Sequence, residues 1–121
     1  MIELVLGGTR SGKSQYAEAM ALHSGLSVTY IATARAGVDD TEMDARIARH
    51  RERRPADWQV VEAPRDLATS LEGLASPRHF LLVDCLTLWL TNLLDEENPL
   101  PWQRERAALL SVLPKLSGSI V

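Results

Sequence analysis

Cysteine is nearly absent from this chain. Cys85 stands alone, which excludes an internal disulfide framework and fits a reducing, cytoplasmic setting. No set of Cys and His residues has zinc-site spacing. No apolar run is long enough to cross a bilayer. The opening MIELVLGG lacks the basic start, long apolar stretch and cleavage site of a signal peptide. There is no excess of positive charge: the formal net charge of −3 argues against a general nucleic-acid binder, so any basic cluster serves something local. Internal repeats and low-complexity segments are also missing, and 121 residues fit one domain with an adequate core.

What is present alternates. Residues 2–6, IELVL, form a short apolar run ending in Gly-Gly and predict a buried strand. SQYAEAMALHSG has helical periodicity and stops at Gly25. SVTYIAT at 27–33 predicts a second strand. After GVDD, Asp40 or Thr41 caps a helix running to about Arg53 and ended by Pro55. WQVVEA at 58–63 and HFLLVD at 79–84 predict two more strands, separated by the short helix RDLATSLEGLA. LTLWLTNLLD is an apolar helix, and PWQRERAALLSVLPKL a helix from Pro101 to about Leu116. This order predicts an α/β fold with a mostly parallel sheet covered by helices on both faces. Gly118 marks a helix stop, and SIV reads as the start of a further strand, so the sequence is expected to be the front part of a longer protein.

Positions 7–14, GGTRSGKS, match G-x-x-x-x-G-K-[ST], with a predicted strand before and a helix after. Glycines let backbone N–H groups curl around a triphosphate, and a helix N-terminus adds partial positive charge. The pattern assigns Gly7, Gly8, Thr9, Arg10, Ser11 and Gly12 to the cradle, Lys13 to the β- and γ-phosphates, and Ser14 to Mg²⁺ through its hydroxyl. A magnesium site of this kind needs a carboxylate at the end of a neighbouring strand, and Asp84 stands where one is expected; a strand-end Asp that caps the next helix is the plain alternative. No N-K-x-D segment reads guanine.

Residues 46–54, RIARHRERR, hold five basic residues around His50. On a helix, Met43, Ile47 and His50 share one face, with Arg46 and Arg54 flanking the histidine by one turn. Nearby positive charge favours neutral, nucleophilic imidazole and binds phosphate. Taken alone, the stretch fits two readings: a solvated arginine face with a half-buried histidine, or a phosphate pocket around a nucleophile.

Taken together, GGTRSGKS, YIATA, DDTEMDARIARHRERRPADWQVVEAP and LLVDCLTLWLTNLL resemble the bifunctional adenosylcobinamide kinase / adenosylcobinamide-phosphate guanylyltransferase family of cobalamin biosynthesis. The R-I-x-x-H-x-x-x-R-P-x-x-W segment carries most of that resemblance, since phosphate loops occur in many families. The resemblance implies a RecA-like P-loop NTPase fold, a ring-like homotrimer, and two reactions. One phosphorylates adenosylcobinamide. The other takes GMP from GTP onto a histidine and passes it to adenosylcobinamide phosphate, giving adenosylcobinamide-GDP. By position, His50 matches the guanylylated histidine, and Arg51, Glu52, Arg53 and Arg54 the segment that contacts GTP. Glu62 and Asp84 match further nucleotide- or metal-binding acids, and Thr33, Ala34 and Arg35 the turn beside the nucleotide. Lys13 and His50 are thereby the expected catalytic residues, Mg²⁺ held by Ser14 and Asp84 the expected cofactor, ATP and GTP the substrates alongside adenosylcobinamide and its phosphate. Family members are longer by roughly half again, with a further strand, a V-x-N-E-V-G turn and more helices. Two rival readings are a small-metabolite P-loop kinase in which His50 is structural, and a truncated module that binds GTP without turnover.

Among the remaining residues, His23 is expected to satisfy the first helix's C-terminus, His79 to be structural, Cys85 a small buried residue, and Trp58, Trp89 and Trp102 core or interface aromatics.

Overall fold

Short runs of β-branched and aliphatic residues become strands here, and the two central ones are buried on both faces. In the computed structural model, which describes residues 1–8, 11–34, 55–94 and 97–121, β1 is Ser27–Ala32, β2 Gln59–Glu62, β3 His79–Asp84 and β4 Ser119–Ile120. They form one four-stranded sheet in the order β2-β1-β3-β4, and every pairing is parallel. In the central pair, Ser27 faces His79 and Ala32 faces Asp84. Four of the six β1 residues are buried, as expected of a strand covered on both sides.

The helices are α1 (Lys13–His23), α2 (Leu67–Leu74), α3 (Leu86–Leu93) and α4 (Leu100–Val112). On one face, Ala17 and Ala21 of α1 pack on Val28, Tyr30, Phe80 and Leu82. On the other, α2, α3 and α4 bring Leu67, Leu71, Trp89, Leu93, Leu109 and Val112 over Ile31 and Leu81. Each fully buried Leu, Ile or Phe contributes about 1.5–3 kcal/mol. Trp89 lies at 5.5 Å and 68° to Trp102, edge to face, and its Nε1 donates to Arg65 O at 2.9 Å, so both its apolar body and its polar tip are used. The last predicted helix does not run unbroken to Leu116: α4 ends at Val112 and tightens into a 3₁₀ turn at Leu113–Lys115, where Pro114 has no N–H to offer an α-helical bond.

The strand predicted at 2–6 is not formed. Ile2 makes only an isolated bridge to Ile120, with Glu3 N–H donating to Ile120 O and Ile120 N–H to Met1 O. The flank of β3 where a strand could lie is taken by β4 and Val121: Val83 N–H donates to Val121 O, and Val121 N–H to Leu81 O. Leu4 and Leu6 are exposed, at 64% and 82%. The remaining predicted elements appear within a residue or two of their expected bounds, except the helix predicted over 41–53, which lies outside the described residues.

Candidate functional site

A glycine in the left-handed region opens the site. Gly12, at φ 85°, sits at the N-cap of α1, a conformation costly for any side-chain-bearing residue. No side chain caps this helix start and no acidic residue occupies its first turn, so its N–H groups and partial positive charge stay available to an anion. The turn before it is held by Ser11 N–H donating to Gly8 O at 3.2 Å. Lys13 folds back across the loop, its Nζ 3.4 Å from Gly8 O.

Asp84 ends β3, one strand-width from β1, and β1 and β3 run parallel, so their carboxyl ends open on the same edge of the sheet. Gly7, Lys13, Ser14, Asp84 and Cys85 border one cavity of about 300 Å³. Its other walls are mostly apolar, made by Ile2, Leu4, Val5 and Leu6 and by Leu67, Leu71, Leu82 and Leu109, with Glu3 and Thr87 also on the lining. Lys13, Ser14 and Asp84 thus border the same cavity.

Three side chains that the motif did not single out as site builders hold this corner. Tyr30 Oη donates to Asp84 Oδ2 from the neighbouring strand. Thr33, fully buried, accepts from Cys85 N–H at 2.9 Å and donates to Cys85 O at 2.7 Å. Asn92 on α3 donates through its amide to Thr33 O at 2.8 Å and Pro64 O at 3.0 Å, tying the ends of β1 and β2 to the helix. Thr33, expected in the turn beside the nucleotide, thus spends its hydroxyl on the backbone at 84–85. Ala34 follows it, half-buried. Glu62 is exposed at the end of β2, paired across from Ala32 and therefore two strand spacings, roughly 10 Å, from Asp84. A lone Asn in the apolar run LTLWLTNLL was the one sequence signal pointing to Asn92.

Thr9, Arg10, Arg35, His50, Arg51, Glu52, Arg53 and Arg54 lie outside the described residues. His23 Nδ1 lies 2.7 Å from Ala19 O at the end of α1, and His79 Nε2 lies 2.9 Å from Thr29 Oγ1, both structural placements. Cys85 is a free, half-buried thiol. Among the described residues no three His, Cys, Asp or Glu side chains gather as a metal set, and no helix is long and apolar enough to cross a membrane.

Residues 3–121 match the family described as cobinamide kinase / cobinamide phosphate guanyltransferase. The chain is 55% identical over 121 residues to the bifunctional adenosylcobalamin biosynthesis protein CobP of Pseudomonas aeruginosa, covering all of this chain and 69% of that protein. It is 42% identical over 106 residues to the bifunctional adenosylcobalamin biosynthesis protein CobU of Salmonella typhimurium, covering 84% of this chain and 57% of that one. Against the CobU protein of Escherichia coli the identity is 43% over 94 residues, covering 78% and 50%. The chain thus spans between half and about two-thirds of the length of these relatives.

Proposed function

This chain belongs to the cobinamide kinase / cobinamide phosphate guanyltransferase family, and from that premise we propose that it binds a nucleoside triphosphate on residues 7–14 and serves both reactions of that family on adenosylcobinamide and its phosphate. The observation that carries the reading is the meeting of Lys13, Ser14 and Asp84 at one cavity beside the uncapped start of α1. Gly7, Gly8, Thr9, Arg10, Ser11 and Gly12 supply the cradle. The donor set fits Mg²⁺: a hydroxyl and a carboxylate are hard oxygen ligands, and Mg²⁺ at nucleotide sites takes its remaining ligands from phosphates and water, so no dedicated three-residue cage is needed. Bound between Ser14, Asp84 and the phosphates, the ion would neutralise developing charge.

In the kinase step, the Lys13 ammonium and the loop amides stabilise charge on the γ-phosphoryl group as the cobinamide hydroxyl oxygen attacks, the bond to the β-phosphate oxygen breaks, the nucleoside diphosphate leaves and the hydroxyl proton passes to solvent. In the transfer step, a neutral His50 nitrogen attacks the α-phosphorus of GTP, the bond to the β-phosphate oxygen breaks, and pyrophosphate leaves. An oxygen of the cobinamide phosphate then attacks the same phosphorus and the N–P bond breaks, returning His50 to its neutral form. Arg51, Arg53 and Arg54, with Glu52, line the triphosphate in this reading, and Thr33, Ala34, Arg35 and Glu62 border the nucleotide. One loop serving both transfers requires the triphosphate to bind in two registers or the His50 segment to move. The single-cysteine composition supports a cytoplasmic setting, and the homotrimer implied by the family is tested by sedimentation.

The test is incubation with Mg²⁺ and GTP labelled in the α-phosphate, beside His50→Ala. Acid-labile, base-stable label on the parent and none on the variant is the expected result. A parent that binds GTP but takes up no label would remove His50 from the mechanism and leave a kinase or a nucleotide-binding module.

A further inference from the structure

We propose that Tyr30 is a positioning residue for Asp84, fixing the carboxylate against the start of α1 so that it can accept a divalent cation. The proposal rests on the reading of Asp84 as a cation ligand and goes one residue further, to what orients that ligand.

The geometry is set by the central strand pair. Tyr30 lies opposite Leu82 and Ala32 opposite Asp84, so the Tyr30 side chain reaches diagonally, two residues along β3, to bond Asp84 Oδ2. Aromatic side chains can span such diagonals. Val28, Tyr30, Leu82 and Asp84 alternate onto the sheet face covered by α1. The Tyr30 ring is 4% exposed and packed with Ala17, Ala21, Phe80 and Leu82. The two alanines belong to the helix whose first residues are Lys13 and Ser14. The same ring therefore sets the seat of α1 on the sheet and carries the donor that reaches Asp84.

A phenylalanine would fill this space without a donor. What the hydroxyl adds is a hydrogen bond to a carboxylate oxygen, which holds its orientation. The Tyr30 bond takes one of the roughly four lone-pair sites of a carboxylate. Partners that orient metal ligands in this way typically alter metal affinity 10- to 100-fold when removed.

The experiment titrates Mn²⁺, as a spectroscopic stand-in for Mg²⁺, into the purified protein with a GTP analogue bridged by a methylene between the α- and β-phosphorus. Free Mn²⁺ is read by electron paramagnetic resonance for the parent, Tyr30→Phe, Asp84→Asn and the double variant. Nucleotide affinity without metal is measured on the same samples, so any loss of folded protein cancels from the comparison. Tyr30→Phe is expected to weaken Mn²⁺ binding about tenfold with metal-free nucleotide affinity unchanged, and to add little once Asp84 is already Asn. If Asp84→Asn weakens Mn²⁺ binding and Tyr30→Phe does not, the positioning role is overturned while the Asp84 reading stands. If Asp84→Asn leaves Mn²⁺ binding intact, that reading falls and takes this proposal with it.

Discussion

Replacing Thr33 by Val keeps the shape of a buried side chain and removes the hydroxyl that clips β1 to the residue after β3. In the native chain that oxygen accepts from Cys85 N–H at 2.9 Å and donates to Cys85 O at 2.7 Å; Asp84 O, at 3.2 Å, competes for the same proton. Two hydrogen bonds are therefore lost, at about 1 kcal/mol each, and the backbone N–H of Cys85 is left without its partner, a desolvation cost of about 1–3 kcal/mol. The added methyl offsets part of this, so the net loss is about 2–4 kcal/mol. At about 2.1 cal/mol/K of unfolding entropy per residue, a 121-residue chain loses about 4 °C of Tm for each kcal/mol, giving a fall of about 8–16 °C. Thr33→Ser keeps the hydroxyl and gives up one buried methyl, about 1 kcal/mol or 4 °C. The assay is thermal unfolding of both variants by tryptophan fluorescence. If Thr33→Val melts within a degree or two of Thr33→Ser, or above it, the hydroxyl does not hold this corner and the reasoning is wrong.

Two further outcomes follow from local geometry. Gly118 has φ 84°, and a Cβ there would run into Ser76 O and approach His79 O at 2.7 Å, whereas Gly25, at φ 71°, has open space around it. Gly25→Ala should lose only the left-handed strain, about 1–2 kcal/mol, and Gly118→Ala about 1–3 kcal/mol more, read from urea midpoints at equal m-value. Burial, and then the charge of Asp66, raise the Glu105 carboxyl above its ordinary value of 4.5. The folded state holds that proton more tightly than the unfolded chain, so stability falls as pH rises from about 4.5 through the raised folded value. Glu105→Gln should therefore melt higher than the parent at pH 7, by a small margin because solvent screens this largely exposed carboxyl, with the gain vanishing below the ordinary carboxylate value.

The elements were legible where local pattern and tertiary demand agree. β3 was readable to the residue because HFLLVD is apolar through Val83 and stops at a charged residue, Asp84. The run at 2–6 is equally apolar, yet only its first residues pair: Ile2 bridges Ile120, and Glu3 N–H donates to Ile120 O. The phosphate loop and Asp84 were visible because their chemistry is written in consecutive residues or at a strand end. Tyr30 and Thr33 look like ordinary strand residues; their partners at Asp84 and Cys85 lie 54 and 52 positions away, and only the parallel register brings them together. Asn92 reaches 59 positions back to Thr33.

An all-parallel sheet also constrains how the chain can assemble. Tyr30 meets Asp84 across 54 positions, and the Met1 amine meets Gly118 O across 117. Closing such large loops costs entropy before any contact repays it, which makes folding of this topology slow and leaves strand edges open to other chains meanwhile. The β1–β3 pair, with the longest ladder, is the natural nucleus. The bonds between residues 1–3 and 118–120 close the largest loop and should be the last to form. Hydrogen exchange tests this order: the amides of Glu3 and Ile120 are expected to exchange faster than those of the β1–β3 ladder.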